Sequence, residues 1–170
     1  MFKPLILAVL ATFALMGQDT VVVLIHHAEK GARSSNAHLS SRGLRRAGDL
    51  VDELAAFKPA AIFATEVWRT QQTVAPLADR LGLKAEIRAR GEEAAVGQEV
   101  LENWKGRTVV ICGHSDTLAT LAGALGFRGF FPEVRAYDRL WVLTVPGGPG
   151  PVTLEERTQK SVARPWSRGL

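Results

Sequence analysis

Two short runs of mostly β-branched residues, far apart in the chain, each break off abruptly into histidine. Val21-Val22-Val23-Leu24-Ile25 is followed by His26-His27-Ala28-Glu29-Lys30, and Thr108-Val109-Val110-Ile111-Cys112 by Gly113-His114-Ser115-Asp116-Thr117. An apolar run of this length that stops at polar residues describes a strand buried on both faces, which is the habit of a parallel sheet packed between helices. In open sheets of that kind, ligands bind just beyond the carboxyl ends of the strands. Two imidazoles delivered to that edge imply a reactive centre.

A third strand end adds a cation. Ala60-Ala61-Ile62-Phe63-Ala64 reads as another buried strand, and Arg69 follows near the start of the next helix, where backbone N–H groups already favour an anion. Two imidazoles and a guanidinium on one edge suit a phosphoryl group better than a metal ion or an acyl carbon. The rest of the chain alternates helix and strand. Ser40 is an N-cap for a helix to about Ala56, with Ala47, Leu50, Val51 and Leu54 on one face. A second helix carries Val74, Leu77, Ala78 and Leu81 inward and stops at Gly82. Leu83 to Arg88 reads as an alternating, near-edge strand, and Glu92 to Trp104 as a helix with Val96, Val100, Leu101 and Trp104 inward. After the histidine-bearing strand come a helix around Leu118 to Leu125 and a closing hairpin, Leu140 to Val145 and Val152 to Leu154. The expected fold is a three-layer α/β/α sandwich on a mostly parallel central sheet with a C-terminal β-hairpin.

Four segments together resemble a known family. Ile25-His26-His27-Ala28-Glu29-Lys30 is similar to the Arg-His-Gly/Ala signature of the histidine phosphatase (phosphoglycerate mutase-like) superfamily, and Leu39-Ser40-Ser41-Arg42-Gly43 to the Leu-Ser/Thr-x-x-Gly that opens its first helix. Arg69-Thr70-Gln71-Gln72-Thr73 is similar to its Arg-x-x-x-Thr segment, and Gly113-His114-Ser115-Asp116-Thr117 to its Gly-His-x-x-Thr. They occur in the family order and span about Val21 to Val145. The resemblance implies a phosphomonoester or phosphohistidine hydrolase, with no metal or other cofactor, acting through a phosphohistidine on His27. It implies Arg69 and His114 as the other catalytic groups and as phosphate ligands.

One position departs from the pattern. The family has Arg immediately before the nucleophilic His, and this chain has His26 there. Arg offers a permanently charged planar fork, whereas neutral imidazole offers one N–H and is charged only near or below pH 6.5. Two expectations follow: activity that rises on acidification, and a neighbouring cation in the gap, with Arg33 the first candidate beside Lys30 and Arg42. The proton donor to the leaving group is left open between Glu93, Glu92 and Asp116, with Glu93 preferred and Asp116 equally readable as the N-cap of the following helix. Three other classes stand beside the phosphatase. A degenerate family member would bind a phosphorylated ligand without turnover. A metallohydrolase would use His26, His27, Glu29 and His114, but without the spacing of a recognised metal motif. A phosphoglycerate mutase would be a longer chain.

The remaining features bound the setting. The chain of 170 residues is nearly half apolar, enough for one domain with a proper core, and carries one cysteine, Cys112, so no intrachain disulfide can form. Its net charge of +4 is spread without basic runs or aromatic interleaving, which argues against nucleic acid and suits a small phosphorylated substrate or a phosphoprotein. Lys3 precedes an apolar run, Leu5 to Met16, of signal-peptide length and too short to span a bilayer. The expected organisation is a signal peptide over 1–17, a histidine phosphatase-like domain over 18–158 and a basic tail over 159–170. The protein is then exported to a periplasm or medium, without a stable membrane span after cleavage, or alternatively anchored by an uncleaved N-terminal segment.

Overall fold

The computed structural model describes residues 17–159. The apolar run Leu5 to Met16, expected to be part of a signal peptide, and the basic residues of the expected tail lie outside them. Within them no helix is long and apolar enough to cross a membrane.

Six strands form one sheet: β1 (Thr20–His26), β2 (Ala61–Thr65), β3 (Glu86–Arg88), β4 (Thr108–Gly113), β5 (Arg139–Val145) and β6 (Thr153–Thr158), in the order β3-β2-β4-β1-β5-β6. The first four in that order are parallel, while β5 runs antiparallel to β1 and β6 antiparallel to β5. Four helices, α1 (Ser41–Ala55), α2 (Trp68–Leu81), α3 (Glu93–Asn103) and α4 (Leu118–Ala124), cover the two faces. Alternation along each strand decides which face a residue serves. Val23 and Ile25 of β1 and Val110 and Cys112 of β4 pack with Leu50 and Leu54 of α1 and Val74 and Leu77 of α2. Val22, Leu24, Val109 and Ile111 face the other way, onto Val96 and Val100 of α3 and Leu118 and Leu121 of α4. The chain is therefore the α/β/α sandwich expected.

Helix boundaries follow their chemistry. The Ser40 hydroxyl accepts from the Gly43 amide at 3.1 Å as the N-cap of α1, and Gly82 closes α2 in the left-handed region at φ 64°. Gly43 is required by proximity, since a Cβ there would meet the backbone carbonyl oxygen of Glu29. That contact presses α1 against the loop after β1.

Two strands differ from expectation. β3 is only three residues long rather than six, because β2 offers it a partner only from Phe63 to Thr65. β6 is longer than expected and reaches Thr158, pairing with β5 through a charged stretch, Glu155-Glu156-Arg157. An edge strand exposes both faces of those residues to water, so charge there blunts the edge and erases the apolar pattern by which strands are recognised. Gln159 is itself buried, its amide donating to the Asp138 carbonyl at 2.7 Å.

Candidate active site

Because β1, β2, β3 and β4 are parallel, their carboxyl ends open on one edge. His26 ends β1, Thr65 ends β2 and Gly113 ends β4 opposite His26. The His27 amide adds one more rung by donating to the Gly113 carbonyl at 3.1 Å. β5 runs the other way and therefore begins at this edge, which brings Tyr137, the chain's one tyrosine, over the site.

The loop after β1, which carries His27, is fixed from α2. The Ala28 amide donates to Thr73 Oγ1 at 2.9 Å, and that hydroxyl donates to the Arg69 carbonyl at 2.7 Å. His27 is buried, and its Nδ1 lies 2.7 Å from the carbonyl oxygen of Ala28. A carbonyl only accepts, so Nδ1 carries the proton and the lone pair stands on Nε2. Glu29, next in the loop, faces outward into Arg46, which holds it with three contacts of 2.8 to 3.1 Å, and into Arg42 at 3.0 Å. Arg46 also donates to the side chain of Gln159 at 3.0 Å. With Glu29 committed to guanidinium groups, the metal-ligand set considered for His26, His27, Glu29 and His114 does not form. Among the described residues no group of three or more His, Cys, Asp or Glu side chains could hold a metal ion.

His114 and Arg69 meet beside His27. The His27 and His114 rings are edge to face with centroids 5.3 Å apart, and Arg69 Nη2 lies 3.2 Å from His114 Nδ1. A guanidinium only donates, so His114 Nδ1 accepts and its Nε2–H donates to Thr65 Oγ1 at 3.0 Å. That hydroxyl passes its own proton to Thr70 Oγ1 at 2.8 Å, and Thr70 donates to the Val67 carbonyl at 2.8 Å. The chain of hydroxyl groups fixes the ring and its tautomer. Arg69 is buried, its Nη1 held by the Ser35 carbonyl, while its Nε has no hydrogen-bond partner.

His26 is packed between aromatic rings. Its ring stacks on Tyr137 with an interplanar angle of 5° and centroids 5.0 Å apart, and its centroid is 4.2 Å from that of His27. Its Nδ1 is buried without a hydrogen-bond partner.

Burial leaves all three imidazoles uncharged in the free protein. Desolvation, followed by the His27 and Arg69 charges, pushes His26 down to about 3, and desolvation followed by the Arg69 charge does the same to His114. Desolvation also takes His27 down to about 4, against the bond to Ala28. The acid activation expected from His26 assumed an ordinary imidazole, and its burial removes that basis. A stability prediction follows. Unfolded, the three rings take protons near pH 6.5; folded, they do so only near 3 to 4. Between about 6.5 and 4 the unfolded chain binds more protons, so stability falls as the pH is lowered through that window. Chemical denaturation at pH 7.5, 6 and 5 measures this, and equal midpoints at all three would refute it.

The other sequence candidates sit elsewhere. The Glu93 carboxylate accepts from the Gly91 amide at 3.1 Å and lines a small apolar pocket with Val96, Ile111 and Leu121, and that of Glu92 accepts from the Ala89 amide at 2.9 Å. Both serve the turn into α3. Asp116 is not a cap, since Thr117 holds the N-cap position of α4. The Asp116 carboxylate is instead 2.6 Å from Arg90 Nη2, and its charge bears on His26, Arg69 and His114. Lys30 and Arg33 are exposed, Arg42 is engaged by Glu29, and Cys112 is a fully buried thiol held protonated by its burial. Arg90, Tyr137 and Thr65 went unnoticed in the sequence. Only the tyrosine's place just before β5 could have signalled one of them.

Residues 22–99 match the model of the histidine phosphatase superfamily, branch 1. Over those residues, a little under half of the chain, the sequence is similar to that superfamily. The fold agrees. The protein histidine phosphatase SixA, solved with tungstate, superposes with a TM-score of 0.64 at 17% identity, covering 82% of this chain and 97% of that one. A mycobacterial glucosyl-3-phosphoglycerate phosphatase superposes with a TM-score of 0.62 at 15% identity, covering 81% of this chain and 98% of that one. None of the curated proteins compared matches the chain.

Proposed function

We propose that the protein is a member of the histidine phosphatase superfamily and hydrolyses phosphoryl groups, phosphomonoester or phosphohistidine, through a covalent intermediate on His27. The observation that carries the reading is the tautomer of His27. Its Nδ1–H is fixed on the Ala28 carbonyl, and burial keeps the ring neutral, so Nε2 holds a nucleophilic lone pair beside Arg69 and His114. Nε2 attacks phosphorus as the bond to the leaving group breaks. Arg69 and His26 take equatorial oxygens and stabilise the charge that develops there, and His114 joins them when its Nε2–H exchanges Thr65 for a phosphoryl oxygen. Asp116 supplies the leaving group's proton, and its position supports it over Glu93. Water then attacks phosphorus, the His27–P bond breaks, and Asp116 takes back a proton.

The substrate class is supported by the neighbours, one named a protein histidine phosphatase and one a glucosyl-3-phosphoglycerate phosphatase. Beside Arg69, Trp68 is 48% exposed and stacked on His38, which provides a ring surface for the leaving group. The apolar run of Leu5 to Met16 supports export as the setting.

The test is a rapidly quenched reaction with p-nitrophenyl phosphate, run with and without EDTA and analysed by mass spectrometry. The expected outcome is turnover in both and acid-labile phosphate on His27. Phosphate on another residue would remove the covalent mechanism. Complete inactivity would favour a protein that binds its phosphorylated ligand without turning it over.

A further inference from the structure

The phosphoryl site has one guanidinium, Arg69, and an imidazole where its relatives' motif has a second. Arg90 stands closest to making up that deficit. It lies in the loop after β3, at the outer edge of the sheet, yet two bonds draw that loop inward. The Arg90 amide donates to the Glu66 carboxylate at 2.9 Å, just past the end of β2, and its Nη2 meets Asp116 Oδ2 at 2.6 Å, two residues after His114. The residue thus bridges the ends of the two strands that precede Arg69 and His114. Arg88, two positions earlier, is clamped by Glu99 through three contacts of 2.8 to 3.1 Å and is not free to act.

From its place Arg90 reaches the whole cluster electrostatically. Its charge disfavours protonation of His27 and His114 and lowers Arg69 as well, while Asp116 opposes it at His114 and Arg69. The pair is nevertheless exposed, with 38% of the Arg90 side chain and 64% of the Asp116 side chain open to solvent. An ion pair so exposed is weak and is readily exchanged for a better one. A phosphoryl dianion is a better partner, because it presents two oxygens to the planar fork.

Resting on the phosphoryl-transfer reading, we infer that Arg90 is the second guanidinium of this site, parked on Asp116 until a phosphoryl group arrives. The loop after β3 then supplies what the residue before the nucleophile does not. Exchange of Arg90 from Asp116 to the phosphoryl oxygens also leaves that carboxylate free to carry a proton. No covalent bond changes in this step.

The experiment is a double-mutant cycle between Arg90 and His26, read by turnover of p-nitrophenyl phosphate and by calorimetric affinity for orthophosphate. Arg90→Ala is expected to lower kcat/KM by ~10²-fold and to weaken orthophosphate by roughly tenfold or more. His26→Arg is expected to gain less than about threefold in the wild-type background but at least tenfold in Arg90→Ala, because two groups filling one role are not additive. Asp116→Asn frees Arg90 and is expected to tighten orthophosphate several-fold, a change of sign that a merely structural ion pair would not give. Arg135→Ala, which breaks a comparable exposed pair with Glu133, leaves both readouts unchanged. Circular dichroism and the retained charge of Arg90→Lys guard against misfolding. Arg90→Ala within twofold of wild type in both readouts, an equal gain from His26→Arg in both backgrounds, or an equal loss in Arg135→Ala would each overturn the assignment. Should the wild type turn over no phosphate ester, the catalytic reading fails, and the orthophosphate affinities alone still decide for or against Arg90.

Discussion

His27→Ala is expected to abolish turnover, by roughly 10⁴-fold or more, the scale on which removal of a nucleophile acts. Orthophosphate affinity should change little by comparison, because the donors of Arg69 remain. The distinction matters, since a ring that only bound phosphate would lose affinity and rate together. The acid limb of the wild-type profile belongs to the same argument. Nucleophilic attack needs neutral His27, which its burial secures down to about pH 4. kcat/KM should therefore not decline on acidification from pH 7 to 5 through protonation of this ring. A pH–rate series over the range in which the protein stays folded, together with phosphate titrations of the variant, checks both statements. Residual turnover in His27→Ala at a tenth of wild type would place the chemistry elsewhere.

The second large effect is expected at the pair that meets the nucleophile. Arg69→Ala should lower kcat/KM by ~10²-fold or more through loss of a buried donor to the transferring oxygens, and His114→Ala should do likewise. The two are in contact through Nη2 and Nδ1, so their effects should not add. In the double variant the loss should be clearly smaller than the product of the single losses. Steady-state kinetics on the three proteins measure this. Near-wild-type rates in either single variant would mean that the site lies somewhere else, and a fully additive double variant would mean that the contact does not couple them.

Much of this was legible because burial on both faces leaves a plain mark. Val21 to Ile25 and Val109 to Cys112 are continuous apolar runs, and a parallel sheet sends their carboxyl ends to one edge whatever the loops do. The gathering of a histidine after β1, His114 and Arg69 at one edge was therefore legible from position, while the choice of His27 over His26 came from the family resemblance. β6 was shortened in the reading because Glu155, Glu156 and Arg157 lie on an exposed edge and carry no period-two pattern. Arg90 was invisible for a different reason. Its placement depends on side-chain and amide bonds to Glu66 and Asp116, each more than twenty residues away, and no local spacing encodes such a meeting. The same holds for Tyr137, whose ring reaches His26 only because β5 runs against β1.

The sheet order has a further consequence for the order in which the protein is made. β1 leaves the ribosome before the other strands of its sheet, yet it lies between β4 and β5. Its partners arrive 87 and 115 residues later, as the pairings of Val22 with Val109 and Ile25 with Leu140 record. The buckle formed by Glu29, Arg46 and Gln159 closes later still, with the last described residue. Until β4 and β5 are made, the strand that carries His26 has open flanks. A nascent chain therefore holds His26 and His27 long before it holds a site, and the site is assembled only once β4 and β5 have been made. Contacts so distant in sequence also make for slow folding.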